Sequence, residues 1–148
     1  MGRPSTLNRF EQPASGTNDN KLILGGSAET EGGQNLKKVY LTVELADVST
    51  ASTAYLPSPV AGTISKIQTI INGAIATADA VITGKIGTTA ITGGVVTIAT
   101  ASSAAGDVDS ASPSAANTVA VGDNINFTTN GASTNTVKAT ILVEITLS

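Results

Sequence analysis

The chain has no cysteine, no histidine and no tryptophan among its 148 residues. Without cysteine, neither disulfides nor thiolate metal sites hold it together. Without histidine it lacks the commonest general base and the commonest transition-metal ligand. Charge is scarce too: 13% of residues are charged, against about 25% in an ordinary domain. The formal net charge of −3 offers no basic surplus for a phosphate backbone, so no nucleic-acid partner is expected. No apolar run approaches the roughly 20 residues of a membrane-spanning helix, so no membrane partner is expected. The first residues carry no apolar stretch of a secretory signal, and a soluble protein is expected. Aromatics are 3% of the chain, two Tyr and two Phe. No phosphate loop, dinucleotide fingerprint or aromatic stacking set is present, and no cofactor is expected.

Small and β-branched residues fill the space those absences leave. The run Asn135 to Leu147 sets the pattern, with Val137, Ala139, Ile141, Val143, Ile145 and Leu147 on one parity. Lys138, Thr140, Leu142, Glu144 and Thr146 fall on the other. Side chains alternate across a strand, so this predicts a long strand near the middle of a sheet with one apolar face. Lys37 to Ala46 repeats the pattern, with Val39, Leu41, Val43 and Leu45 toward the core. First and last strands of sandwiches often lie side by side, so these two are expected to pair antiparallel.

Between them, turn signals separate short strands. Ala54-Tyr55-Leu56 is stopped by Pro57 and Pro59. From Val60 to Ile71 the apolar parity flips, Val60, Gly62 and Ile64 before, Ile67, Thr69 and Ile71 after, which predicts a β-bulge near Ser65-Lys66. Asn72-Gly73 and Asn130-Gly131 are tight-turn dipeptides. Ala78 to Ile86 is a strand, Gly87-Thr88-Thr89 a turn, and Gly93-Gly94 is expected to lead a hairpin from Ala90-Ile91-Thr92 into Val95 to Ala99. Thr100 to Asn117 reads as one long polar loop, and Thr118 to Val121 and Asn124 to Thr128 as further strands. The expected fold class is all-β, an antiparallel β-sandwich of jelly-roll type over 37–148.

Residues 1–36 differ, being rich in Gly, Pro, Asn and Ser without sustained periodicity. Such a segment cannot offset its own ordering entropy and is expected to gain shape from a partner. Its anchor candidates are Arg3, Leu7, Arg9 and Phe10, with the run Leu22, Ile23 and Leu24. A guanidinium and an aromatic on an extended arm suit a partner's groove.

Sites of other chemistry are poorly supported. Asp107-Val108-Asp109-Ser110 begins like a calcium loop but lacks its later Gly and Glu, and a solvated acidic turn is expected instead. A glycosidase needs facing acids, and Asp79, Asp107, Asp109, Asp123, Glu44 and Glu144 are the candidates. Glu44 and Glu144, on strands expected to be neighbours, are read as balanced by Lys38 and Lys138. Ser65-Lys66 is expected on opposite strand faces, the wrong geometry for a serine with a lysine base. Asn126-Phe127-Thr128 matches a glycosylation acceptor, but within a strand. The protein is not expected to be an enzyme.

Several stretches resemble the small decoration (cement) proteins that coat tailed-phage capsids: Pro59-Val60-Ala61-Gly62-Thr63-Ile64, Asn72-Gly73-Ala74, Ala78-Asp79-Ala80, Ile91-Thr92-Gly93-Gly94 and Gly122-Asp123-Asn124-Ile125. The resemblance spans about residues 37–148. It implies a β-sandwich head, commonly a homotrimer, on the outer capsid surface of a virion, with an N-terminal arm touching the major capsid protein. An alternative is the receptor- or glycan-binding head domain of a phage fibre. That would need an exposed aromatic platform or a polar pocket, for which two Tyr and no Trp are thin material. A pilin-like or surface-layer subunit is a further alternative, expected to carry a secretion signal.

Overall fold

A computed structural model describes residues 37–148; the arm at 1–36, with Arg3, Leu7, Arg9, Phe10, Leu22, Ile23 and Leu24, lies outside the described residues. The described body is all-β. Its strands are β1 (Lys38–Leu45), β2 (Thr53–Pro57), β3 (Gly62–Ile71), β4 (Ala80–Ile86), β5 (Thr89–Ile98), β6 (Val108–Ala111), β7 (Thr118–Val119), β8 (Asn124–Thr129) and β9 (Ala139–Leu147). One sheet has the order β1-β9-β3-β6, with β7 also on β3, and the other β2-β8-β4-β5. With the two-residue β7 set aside, that order is the double Greek key of a jelly roll. Every pairing is antiparallel.

The C-terminal strand sits where its parity demands. Ala139, Ile141, Val143 and Ile145 are fully buried, and β9 lies between β1 and β3. β1 pairs with β9 antiparallel, from Lys38↔Thr146 to Leu45↔Ala139, as the matching patterns predict. Leu45 is buried, whereas Val39, Leu41 and Val43 are half-buried. The reason is position: among the described strands, β1 lies at the edge of its sheet, with a neighbour on one side. The predicted bulge is present too. The β3–β9 register shifts between Ile64 and Lys66, so Gly62 and Ile64 before it and Ile67, Thr69 and Ile71 after it all face inward.

Two expectations need correction. Gly93-Gly94 does not lead a hairpin: β5 runs unbroken from Thr89 to Ile98, and the β4–β5 turn is at Gly87-Thr88. The register jumps from Thr83↔Val95 to Lys85↔Ala90, leaving Ile91 to Gly94 as an excursion. Ile91 drives it, because its side chain is pulled into the core and buried, while Thr92 bridges to Ala115. Secondly, Thr100 to Asn117 is not one loop, since it contains β6 on the edge of β3. The sequence Val-Asp-Ser-Ala has little strand character of its own; the open ladder of β3 supplies it. The turn dipeptides Asn72-Gly73 and Asn130-Gly131 lie just past the ends of β3 and β8. Each opens a crossover between the sheets, β3 to β4 and β8 to β9.

The core lies between the sheets and is almost wholly aliphatic, with Phe127 its buried aromatic. Apolar burial of this kind is the dominant stabilising contribution.

Candidate functional site

Two outer sheet faces present the chemistry of the body. On the first sheet, β1, β9 and β3 align Tyr40, Glu144 and Lys66 in one row. Lys38 Nζ lies 2.8 Å from Glu144 Oε1, and Ser65 Oγ donates to the same oxygen at 2.7 Å. Thr146 Oγ1 donates to Ser65 Oγ at 3.2 Å. The Lys38 ammonium, then the Ser65 hydroxyl, hold the Glu144 carboxyl down at about 2. Lys138 Nζ lies 2.9 Å from Glu44 Oε1 and holds that carboxyl below its ordinary value. The lysines therefore balance the two glutamates as expected.

This cluster is poor machinery for catalysis. Glu144 stands opposite Tyr40 and Glu44 opposite Thr140, four positions along the ladder, which is roughly 13 Å at strand rise. That exceeds the spacing of either glycosidase geometry. Ser65 corrects one expectation. The bulge brings it to the same face as Lys66, since its hydroxyl bonds Glu144 and Lys66 is the register partner of Glu144. The hydroxyl donates to the carboxylate rather than to a lysine, and a carboxyl at about 2 is too weak a base to activate it at neutral pH.

The remaining acids work as local structure. Asp79 Oδ1 accepts from the Thr100 amide and hydroxyl, each at 2.7 Å. Asp47 accepts from Ser49 and Thr50, and Asp123 from the Ala120 amide. Asp107 and Asp109 lie at β6, with Asp109 opposite Thr69 on the inward parity. No group of three or more acids among the described residues is placed to hold a metal ion.

On the same first sheet an apolar strip interrupts the polar rows. Ile70 and Val108 are register partners and are 45% and 52% exposed. Leu142 lies diagonally across from Ile70, opposite Gln68. Periodicity placed Leu142 on the outward parity, but Val108 read as part of a polar loop, and β6 had to be known before it could be set beside Ile70.

The second sheet carries a shallow groove of about 460 Å³ on its outer face. Its central row runs Tyr55, Asn126, Lys85 across β2, β8 and β4. Tyr55 is 65% exposed and Asn126 5% exposed, so Asn126 forms the floor. Its Nδ2 donates to the Gly87 carbonyl at 2.8 Å, which makes this asparagine a structural group rather than an accessible glycan acceptor. Thr53 and Thr128 pair their hydroxyls at 3.0 Å along the next row. Sequence reasoning missed this groove. Tyr55 stands 30 residues from Lys85 and 71 from Asn126 in the chain (85 − 55 and 126 − 55), and sheet order alone unites them.

The described residues include no helix, hence none long and apolar enough to cross a membrane. No protein family matches the chain, and no curated protein matches it. Among solved structures, a chain of the cyanophage Pam1 capsid asymmetric unit is similar with a TM-score of 0.45 and 13% identity, over 93% of this chain and 100% of its own. A chain from Bacillus endospore appendages, described as disulfide-linked pili, is similar with a TM-score of 0.37 and 15% identity, over 84% of this chain and 100% of its own.

Proposed function

We propose that this chain is a virion structural protein without enzymatic activity, one that decorates the outer surface of a phage capsid and clamps neighbouring major capsid proteins. One observation carries the reading: Ile70 and Val108 expose an apolar pair on a face whose glutamates are already paired with lysines. A face of this kind acts by being covered, not by reacting. A trimer would bury the strip through a closed cyclic contact. The arm at 1–36 would then lie across a seam between capsid subunits, anchored by Arg3, Leu7, Arg9 and Phe10 and by the run Leu22 to Leu24. Three tethered arms raise one another's effective concentration, so modest contacts hold tightly together. The shell resists internal pressure because a seam must shed the arms before it opens.

Deleting Met1 to Gly33 tests the clamp. The expected product is a folded, oligomeric body that no longer co-sediments with capsids; undiminished capsid occupancy rejects the arm as anchor. Ile70→Asp with Val108→Asp should shift the sedimenting mass from trimer to monomer while leaving the thermal transition cooperative.

A further inference from the structure

The groove lies on the second sheet, away from the Ile70–Val108 strip on which the proposed attachment rests. We infer that it binds an acidic saccharide, a pyranose bearing a carboxylate, with Tyr55 as the stacking platform and Lys85 as the charge partner. This goes beyond capsid attachment and stands whether or not the arm is the anchor.

The first argument is the placing of the aromatic. Of the aromatic side chains in the described body, Phe127 is buried in the core and Tyr40 neighbours the Lys38–Glu144 pair. Tyr55 instead stands 65% exposed at the wall of a concave surface. A tyrosine ring with one apolar face and a polar tip suits a ligand that is itself apolar on one face and hydroxylated at its rim. A pyranose has that amphipathic shape.

The second argument is the polarity of the lining. Asn124, Asn126, Thr53 and Thr128 surround the ring, and hydroxyls and amides each combine donor and acceptor capacity. Several are already oriented: Asn126 by the Gly87 carbonyl, Thr53 and Thr128 by each other. They project from two adjacent strands, β2 and β8, a rigid footing that lowers the ordering cost of binding.

The third argument is charge. Among the described residues, Lys85 is the sole charged side chain lining the groove, and no carboxylate lines it. A cationic ligand would meet only like charge there, whereas a sugar carboxylate finds an ammonium on the same row as the stacking ring. A volume of about 460 Å³ falls within the range of small-ligand sites, roughly 300–1,000 Å³.

The test uses the full-length protein, isotope-labelled for NMR, with trigalacturonate as probe and maltotriose as its uncharged counterpart. Trigalacturonate at millimolar concentration should move the amide resonances of Tyr55, Lys85 and Asn126, and saturation transfer should reach its ring protons. Tyr55→Ala should weaken binding by about tenfold. Lys85→Met should reduce trigalacturonate to the affinity of maltotriose. Tyr40→Ala, on the opposite sheet, should leave binding unchanged, and an unaltered thermal transition shows that each variant is folded. Absence of groove shifts, or equal binding by Tyr55→Ala, overturns the site. Equal affinity for both sugars in the wild type overturns the acidic class.

Discussion

Thr69 and Asp109 face each other across β3 and β6 on the inward parity, and Thr69 Oγ1 and Asp109 Oδ2 are both buried without a hydrogen-bond partner among the described residues. Burial, reinforced by the nearby Asp107 carboxylate, pushes the Asp109 carboxyl up. The folded state therefore binds this proton more tightly than the unfolded one, so the group's contribution to stability falls as pH rises above 3.8 through its folded value. Asp109→Asn should stabilise the protein at neutral pH by about 0.5–1 kcal/mol, after allowing for solvent screening. The gain should vanish below pH 3.8, as read from denaturant unfolding at the two pH values. An inward acid on an edge strand has a compensating use, since it discourages a second chain from extending the sheet. Glu144 carries the opposite sign. Its carboxyl is held down at about 2 from an ordinary 4.5, so its contribution is complete above 4.5 and lost as pH falls toward about 2. Glu144→Gln should lower the thermal midpoint at neutral pH and converge with the wild type near pH about 2.

Among the elements, the crossovers constrain the chain more tightly than the strands do. Gly131 has φ +66°, and a Cβ there would collide with the backbone nitrogen of Ala51. Gly131→Ala should cost about 1–2 kcal/mol from the backbone conformation alone, with the collision adding to it. Chemical denaturation would show this as a lower midpoint at unchanged slope. The bulge at Ser65 was legible because a parity flip is a local pattern that any reader of Val60 to Ile71 meets. β6 was not, because Val108 to Ala111 is a strand only while Ile67 to Ile70 stand beside it. The β5 excursion was half legible. Gly93-Gly94 marked an irregularity, but only the burial of Ile91 shows that the chain dips inward there instead of reversing.

For the whole body, closure depends on its last strand. β9 is the shared neighbour of β1 and β3, and the Leu147 amide donates to the Lys37 carbonyl at 2.8 Å. Removing Ile141 to Ser148 would expose both neighbours' ladders and strip the core of Ile141, Val143 and Ile145. The truncated chain should show no cooperative thermal transition, and a retained one would contradict the central role given to β9. Pairing the first strand with the last also makes the fold rich in non-local contacts. Refolding should accordingly be slow, in the millisecond-to-second range of β-sandwiches, by stopped-flow fluorescence of the tyrosines.

The sequence by itself determined the facing of β1, β3 and β9 and the pairing of β1 with β9. Alternation is written residue by residue, and a buried row admits one register. Only the tertiary structure decided that Val108 joins Ile70, that Ile91 enters the core, and that Tyr55, Asn126 and Lys85 share a groove. Those are meetings between distant segments, set by which strand lies next to which, and no local period encodes them.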